Sequence, residues 1–113
     1  MNKLPKIYII IPNEESPSYK TKLKVKKVEK RLKEKGFEVV NPLKIYKKKS
    51  ISTIEATIYN IKELLSCEAV YIMPEVSLKK GDHLALQISI DINLLILQDV
   101  AINLELYEEL ISI

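Results

Sequence analysis

Few side chains in this sequence are of types that do chemistry, and their spacing limits what each could do. The one histidine, His83, directly follows Asp82. A histidine beside a carboxylate suggests a base and its orienter, but adjacent residues on a helix point in different directions. His83 therefore reads as an exposed or helix-terminal residue. The one cysteine, Cys67, excludes an internal disulfide and a cysteine-based zinc site, and reads as a buried structural thiol. Nowhere do ligand-type residues cluster with metal spacing, so neither a metal nor a cofactor is expected. Lys79-Lys80-Gly81 stands ahead of a segment with helical spacing. Backbone N–H groups at a helix N-terminus favour an anion and two lysines add charge, so a phosphate or nucleotide could bind there. A solvated turn is the alternative. Asn13 and Tyr8 could line the same cleft.

The elements that must position these residues centre on the stretch from Cys67 to Gln98. An apolar run at 69–73 is stopped by Pro74, and a polar loop follows. A helix is expected over 81–92 and a second apolar run at 94–97, which makes a βαβ unit with buried strands. Ligands of open α/β sheets sit outside the carboxyl ends of the strands, so loop 74–81 is placed where chemistry would occur. Ahead of this unit, residues 6–12 (KIYIIIP) read as a central strand. Ser16 followed by Pro17 matches a helix N-cap with proline at the first position, opening a helix over 17–35 that ends at Gly36. Its apolar stripe is Tyr19, Leu23, Val28 and Leu32, with Val25 off it. A second strand follows at 37–41, then a basic loop at 43–50. Ser52 and Glu55 form a capping box. The helix they open runs to about residue 65 and is expected to bury Ile54, Ile58, Ile61, Leu64 and Leu65. Asn103 could cap a last helix over 104–111. Alternating strands and helices with right-handed crossovers predict an α/β fold. The expected architecture is a small three-layer sandwich with a four- to five-stranded parallel sheet, flavodoxin/Rossmann-like, forming a single domain over residues 1–113.

Length and composition agree with one ordinary globular domain: 113 residues, 47% hydrophobic and 29% charged. The amino terminus has too short an apolar run for a signal peptide and too much charge for a membrane span, so no membrane association and a cytoplasmic location are expected. The net charge of +3 is unevenly placed. From Lys20 to Lys35 there are nine basic residues and two glutamates. Such a helix could bind nucleic acid, but one arginine and no interleaved aromatic residue read more simply as a solvated face. The helix over 81–92 is apolar on more than one face, which predicts burial against a second copy, a homodimer.

Three segments together resemble one family. Residues 6–12 (KIYIIIP) look like the opening K-I-Y-I-S-G-P of the nucleoside 2-deoxyribosyltransferase-like proteins, in particular the short DUF4406 group. Residues 35–42 (KGFEVVNP) resemble its G-Y-E-V-V-N-P strand, and residues 61–74 (IKELLSCEAVYIMP) its D-I-x-x-L-L-x-C-D-A-I-x-x-L-P. Gly81 stands seven residues after Pro74, as in that family. The resemblance implies cleavage or exchange of an N-glycosidic bond, with a carboxylate below the anomeric carbon and a second acid assisting.

Carried over residue by residue, the resemblance implies that this machinery is largely missing. The catalytic glutamate falls on Ala85, the first-loop glycine on Ile11, the loop Gly-Trp on Glu75-Val76, and the loop serine on Lys79. The helix-two aspartate falls on Asn60, and the aspartate beside the cysteine on Glu68, a retained acid. Tyr8 matches the family tyrosine. Three readings follow. The first is a catalytically degenerate protein that binds a nucleotide or nucleotide-derived ligand through Tyr8, Asn13, Asn60, Glu68, Lys79, Lys80 and Gly81. The second is an active N-glycosidase or transferase using a displaced carboxylate, with Glu68, Glu75 or Asp82 as candidates. The third is an oligomeric interaction module whose cleft is filled by side chains.

Overall fold

The computed structural model describes residues 4–47, 50–79 and 81–98. In chain order the elements are β1 (Lys6–Ile10), α1 (Tyr19–Glu34), β2 (Glu38–Val40), a 3-10 helix (Pro42–Lys47), α2 (Thr53–Leu65), β3 (Ala69–Ile72), α3 (Leu84–Asp91) and β4 (Leu95–Leu97). The four strands form one all-parallel sheet in the order β2-β1-β3-β4. Ile7 stands beside Val39 on one side and Ala69 on the other, and Ala69 in turn beside Leu95. The step from β1 to β2 and the later steps run in opposite directions. Right-handed crossovers therefore put α1 on one face of the sheet and α2 and α3 on the other, and α2 and α3 touch. This is the expected flavodoxin/Rossmann-like α/β sandwich, four strands wide.

Hydrophobic burial is concentrated in the two inner strands. Ile7, Tyr8, Ile9 and Ile10 of β1, and Ile11 after it, are at most 1% exposed. All four residues of β3 are buried. A strand covered by helices on both faces needs an unbroken apolar run, and both sequences supply one.

Helix α1 begins later than its proline suggests. Ser16 N–H bonds the Asn13 carbonyl at 2.9 Å, with Asn13 in the left-handed region at φ 48°. This closes a turn before Pro17. Ser18, not Ser16, is the N-cap, its Oγ accepting from Thr21 N–H at 3.1 Å. The buried stripe also differs from the expected one. Val25 and Leu32 are fully buried with Val28 beside them, whereas Tyr19 is 76% and Leu23 43% exposed. Both sets have helical spacing, so periodicity alone could not choose between them. The carboxyl end closes as expected at Gly36, φ 103°. Gly36 N–H bonds the Lys33 carbonyl and Phe37 N–H the Leu32 carbonyl, the two bonds of a Schellman closure.

The expected basic loop after β2 is instead a 3-10 helix with Pro42 first, where a missing N–H costs nothing. Asn41 starts it by accepting Leu43 N–H at 2.9 Å through Oδ1. Ser52 caps α2 as expected, bonding Glu55 N–H at 3.1 Å. The helix is nonetheless rotated from the expected phase. Ala56, Asn60 and Leu64 face the sheet, while Ile54, Ile58 and Leu65 are at least half exposed. The small Ala56 lets the helix lie close to the sheet, and Asn60 has partners waiting inside. Helix α3 starts at Leu84 and not at Gly81, and buries Ala85, Leu86 and Ser89 while leaving Leu84 and Ile90 exposed. The expected helix over 104–111 lies outside the described residues. Among the described residues no helix is long and apolar enough to cross a membrane.

The phase of α1 yields a direct test. Val25→Ala removes two buried methyl groups and should lower unfolding free energy by about 2 kcal/mol. Leu23→Ala should change it by less than about 0.5 kcal/mol. Urea denaturation of the two variants reads the difference, and the opposite ranking would mean that the expected stripe is the buried one.

Candidate functional site

The crossover leaving β1 goes one way and the neighbouring crossover arrives from the other, which leaves a crevice at the carboxyl end of β1. A cleft of about 540 Å³ opens there. Its walls are the turn carrying Asn13 to Ser16, Tyr46 of the 3-10 helix, Thr57 and Asn60 of α2, and the head of α3. Tyr8 forms part of its floor.

Glu14 is the organising group. Asn60 Nδ2 donates to its Oε1 at 2.7 Å, and the Tyr8 hydroxyl reaches both carboxylate oxygens at 3.3 and 3.4 Å. The same Asn60 amide donates to the Pro42 carbonyl at 3.1 Å. Both neighbours of this NH2 group are acceptors, which fixes the orientation of the amide. Burial pushes the Glu14 carboxyl above its ordinary range. The Asn60 bond, the nearby His83 and the Tyr8 hydroxyl pull it back only in part. The Tyr8 phenol is also raised, by burial first and then by the charge of Glu14, so it stays a donor.

His83 closes the far wall and is spoken for at both ring nitrogens. Nε2 lies 2.7 Å from the Ile11 carbonyl, an acceptor, so it carries the proton. Nδ1 then accepts Leu86 N–H at 3.4 Å and caps α3. A histidine so engaged ties α3 to the end of β1 and has no nitrogen left for a substrate proton. The sequence reading of a helix-terminal histidine agrees with this.

The expected site residues do not all come together. Tyr8, Asn13 and Asn60 line the cleft. Ala85 lines it too, and Ile11 is packed beneath it, yet the concavity remains. Glu68 stands at the other end of the sheet, exposed, its N–H bonded to the Lys6 carbonyl just before β3 begins. Glu75 pairs with Lys24 of α1 and does not line the cleft. Lys79 is exposed and also off the cleft wall, and Lys80 lies outside the described residues. Gly81, at φ 88°, falls short of α3, whose free N–H at Leu86 is taken by His83. Asp82 reaches the cleft rim with its carboxylate held by the Ser77 hydroxyl at 2.6 Å. Cys67 is buried, and burial first of all pushes its thiol up to about 12, in keeping with a structural role.

The residue that sequence reasoning missed is Glu14. Nothing in NEESPS marks one glutamate over another. The available signal was positional: it lies in the turn after the strand expected to be central. No set of three or more His, Cys, Asp or Glu side chains among the described residues is placed to hold a metal ion. No protein-family model matches the chain, and no characterised protein is significantly similar to it.

The raised Glu14 carboxyl predicts a pH dependence of stability. The folded state holds this proton more tightly than the unfolded one, so its contribution is full below the unfolded value near 4.5 and is lost as pH rises through the folded value. Glu14→Gln keeps an acceptor for Asn60 and cannot ionise. Its melting temperature relative to the parent should therefore rise as pH climbs from 4.5. A difference that stays flat with pH would show that the carboxyl titrates normally.

Proposed function

We propose that the chain binds a neutral, hydroxyl-bearing ligand of the nucleoside class in the cleft after β1. In this reading it is a nucleoside 2-deoxyribosyltransferase-like protein that lacks the family nucleophile. The observation that carries the reading is Glu14: a partly buried carboxyl, oriented by Asn60 and Tyr8, facing a cleft of ligand size. Such a group accepts hydrogen bonds from sugar hydroxyls, each worth about 0.5–1.5 kcal/mol, and about 1.5–3 kcal/mol where the carboxyl is ionised. The charged residues lining the cleft among the described residues are Glu14, Glu15 and Asp82, with no lysine or arginine. That balance disfavours a phosphate inside the cleft and favours a nucleoside over a nucleotide. Tyr46 offers a flat face to a base.

One observation favours the second reading, N-glycosidic cleavage. Glu14 is a carboxyl in the very cleft that Ala85 lines, so it would be the displaced carboxylate that Glu68 and Glu75 are not placed to be. It would stabilise the cationic sugar from the opposite wall. Against it, both nitrogens of His83 are occupied, and the other acids lining the cleft among the described residues are Glu15, which is exposed, and Asp82, whose carboxylate accepts from the Ser77 hydroxyl.

Calorimetric titration with deoxynucleosides and their 5′-monophosphates, with chromatography for released base, tests both readings. Nucleosides should bind more tightly than the monophosphates. Glu14→Gln should weaken them about tenfold, and no base should be released. Absence of nucleoside binding would sink the proposal. Base release that disappears in Glu14→Gln would replace it with the second reading.

A further inference from the structure

The cleft shares the turn 14–16 and Tyr46 with a second concavity of about 510 Å³ on the other side of that turn. Its character is opposite. One wall is α1, with Lys22 and Lys26, and the other is the 3-10 helix, with Lys44 and Lys47. We propose that this groove binds the backbone of single-stranded nucleic acid, at a site distinct from the neighbouring cleft although the two share Tyr46 and the turn 14–16.

The charge on α1 is in excess of what the fold uses. The helix carries eight basic residues and two glutamates. Among the described residues, Glu75 takes Lys24, while Glu29 takes both Lys33 and Lys44. Among the described residues, Lys22, Lys26 and Lys47 have no carboxylate within ion-pair distance. Lys22 and Lys26 are one turn apart on the same side of the helix, about 6 Å along its axis. Like charges at that spacing repel, at a cost of a few tenths of a kcal/mol. A polyanion lying along the groove would turn this repulsion into attraction and release counterions.

Two tyrosines decide the kind of polyanion. Tyr19 is 76% exposed in the first turn of α1, where it contributes nothing to the core, and it lines the groove. Tyr46 stands in the groove opposite. Lysines beside aromatic rings, here the exposed Tyr19 and the half-buried Tyr46, suit unpaired bases, which stack with little regard to sequence. A duplex hides its base faces, and an anionic membrane or a polyphosphate chain has none. Glu14 and Glu15 close the end shared with the cleft, which would steer phosphates along the lysines and away from the acidic side.

Fluorescence anisotropy of the full chain with labelled oligothymidylate at about 50 mM salt tests the proposal. Three neutralised phosphates at roughly 0.7 each predict a slope of about −2 in log affinity against log salt. The double variant K22E/K26E, in which both positions are exposed, should weaken binding at least about tenfold and flatten the slope toward about −0.7. Its urea midpoint checks that it folds. Tyr19→Ala should weaken oligothymidylate by about fivefold or more and leave inorganic polyphosphate unchanged. No binding, or binding unaffected by K22E/K26E, overturns the proposal. So does equal affinity for duplex DNA, polyphosphate or anionic vesicles together with indifference to Tyr19→Ala, which would reduce the groove to an unspecific cationic surface.

Discussion

Strand β1 has a hydrogen-bonded neighbour on each side and helices on each face, and the rest of the chain accommodates that position. A strand so enclosed can carry no exposed polar side chain along its length, which is why residues 7–11 are an unbroken apolar run with Tyr8 its one polar member. Polar groups can appear only where the strand ends. The polar groups that build the cleft accordingly gather at the carboxyl end of β1: the Tyr8 hydroxyl, the Glu14 turn, and the Ile11 carbonyl that receives His83. The fold leaves a crevice at that point because the crossovers on its two sides diverge. The site follows from the sheet order before any particular side chain is considered.

The fold was legible in the sequence because its signals are redundant. Apolar runs, the capping serine at 52 and the glycine at 36 each mark an element or its end, and right-handed crossovers require a parallel sheet with helices on its faces; the strand order was not among the sequence expectations. What was not legible was rotation. In α1 the sets 19/23/28/32 and 25/28/32 both repeat at helical intervals, and in α2 so do the expected 54/58/61/64/65 and the buried 56/60/64, which share only Leu64. Spacing gives a face but not which face, and an isoleucine on the wrong side of Ala56 looks no different from one on the right side. The three-dimensional choice for α2 is made by Asn60, a polar residue that a hydrophobic pattern counts against burial.

The site was half legible for the same reason. Tyr8 and Asn60 were recognisable from the family resemblance, and they do converge. The group on which they converge was not, because Glu14 sits in a turn whose shape depends on Asn13 adopting the left-handed conformation and on Ser18 taking over the cap. Glu68 and Glu75 attracted interest through linear correspondence, and a linear correspondence does not say at which end of a strand a residue stands. Charge behaves similarly. The sequence shows an excess of lysine, but only the packing divides the surface around one turn into an acidic cleft and a lysine groove.

Asn60 makes its two hydrogen bonds through a single amide nitrogen, one to the turn after β1 and one to the first residue of the 3-10 helix. Three separate stretches of chain thus share one rotamer. A change that turned this side chain would disturb all three together, so the wall they form cannot be altered a piece at a time. Tyr46, Thr57 and Ile61 border the same space and owe nothing to that amide. Substitutions at these three positions would therefore reshape the cleft around a fixed Tyr8–Glu14–Asn60 hub.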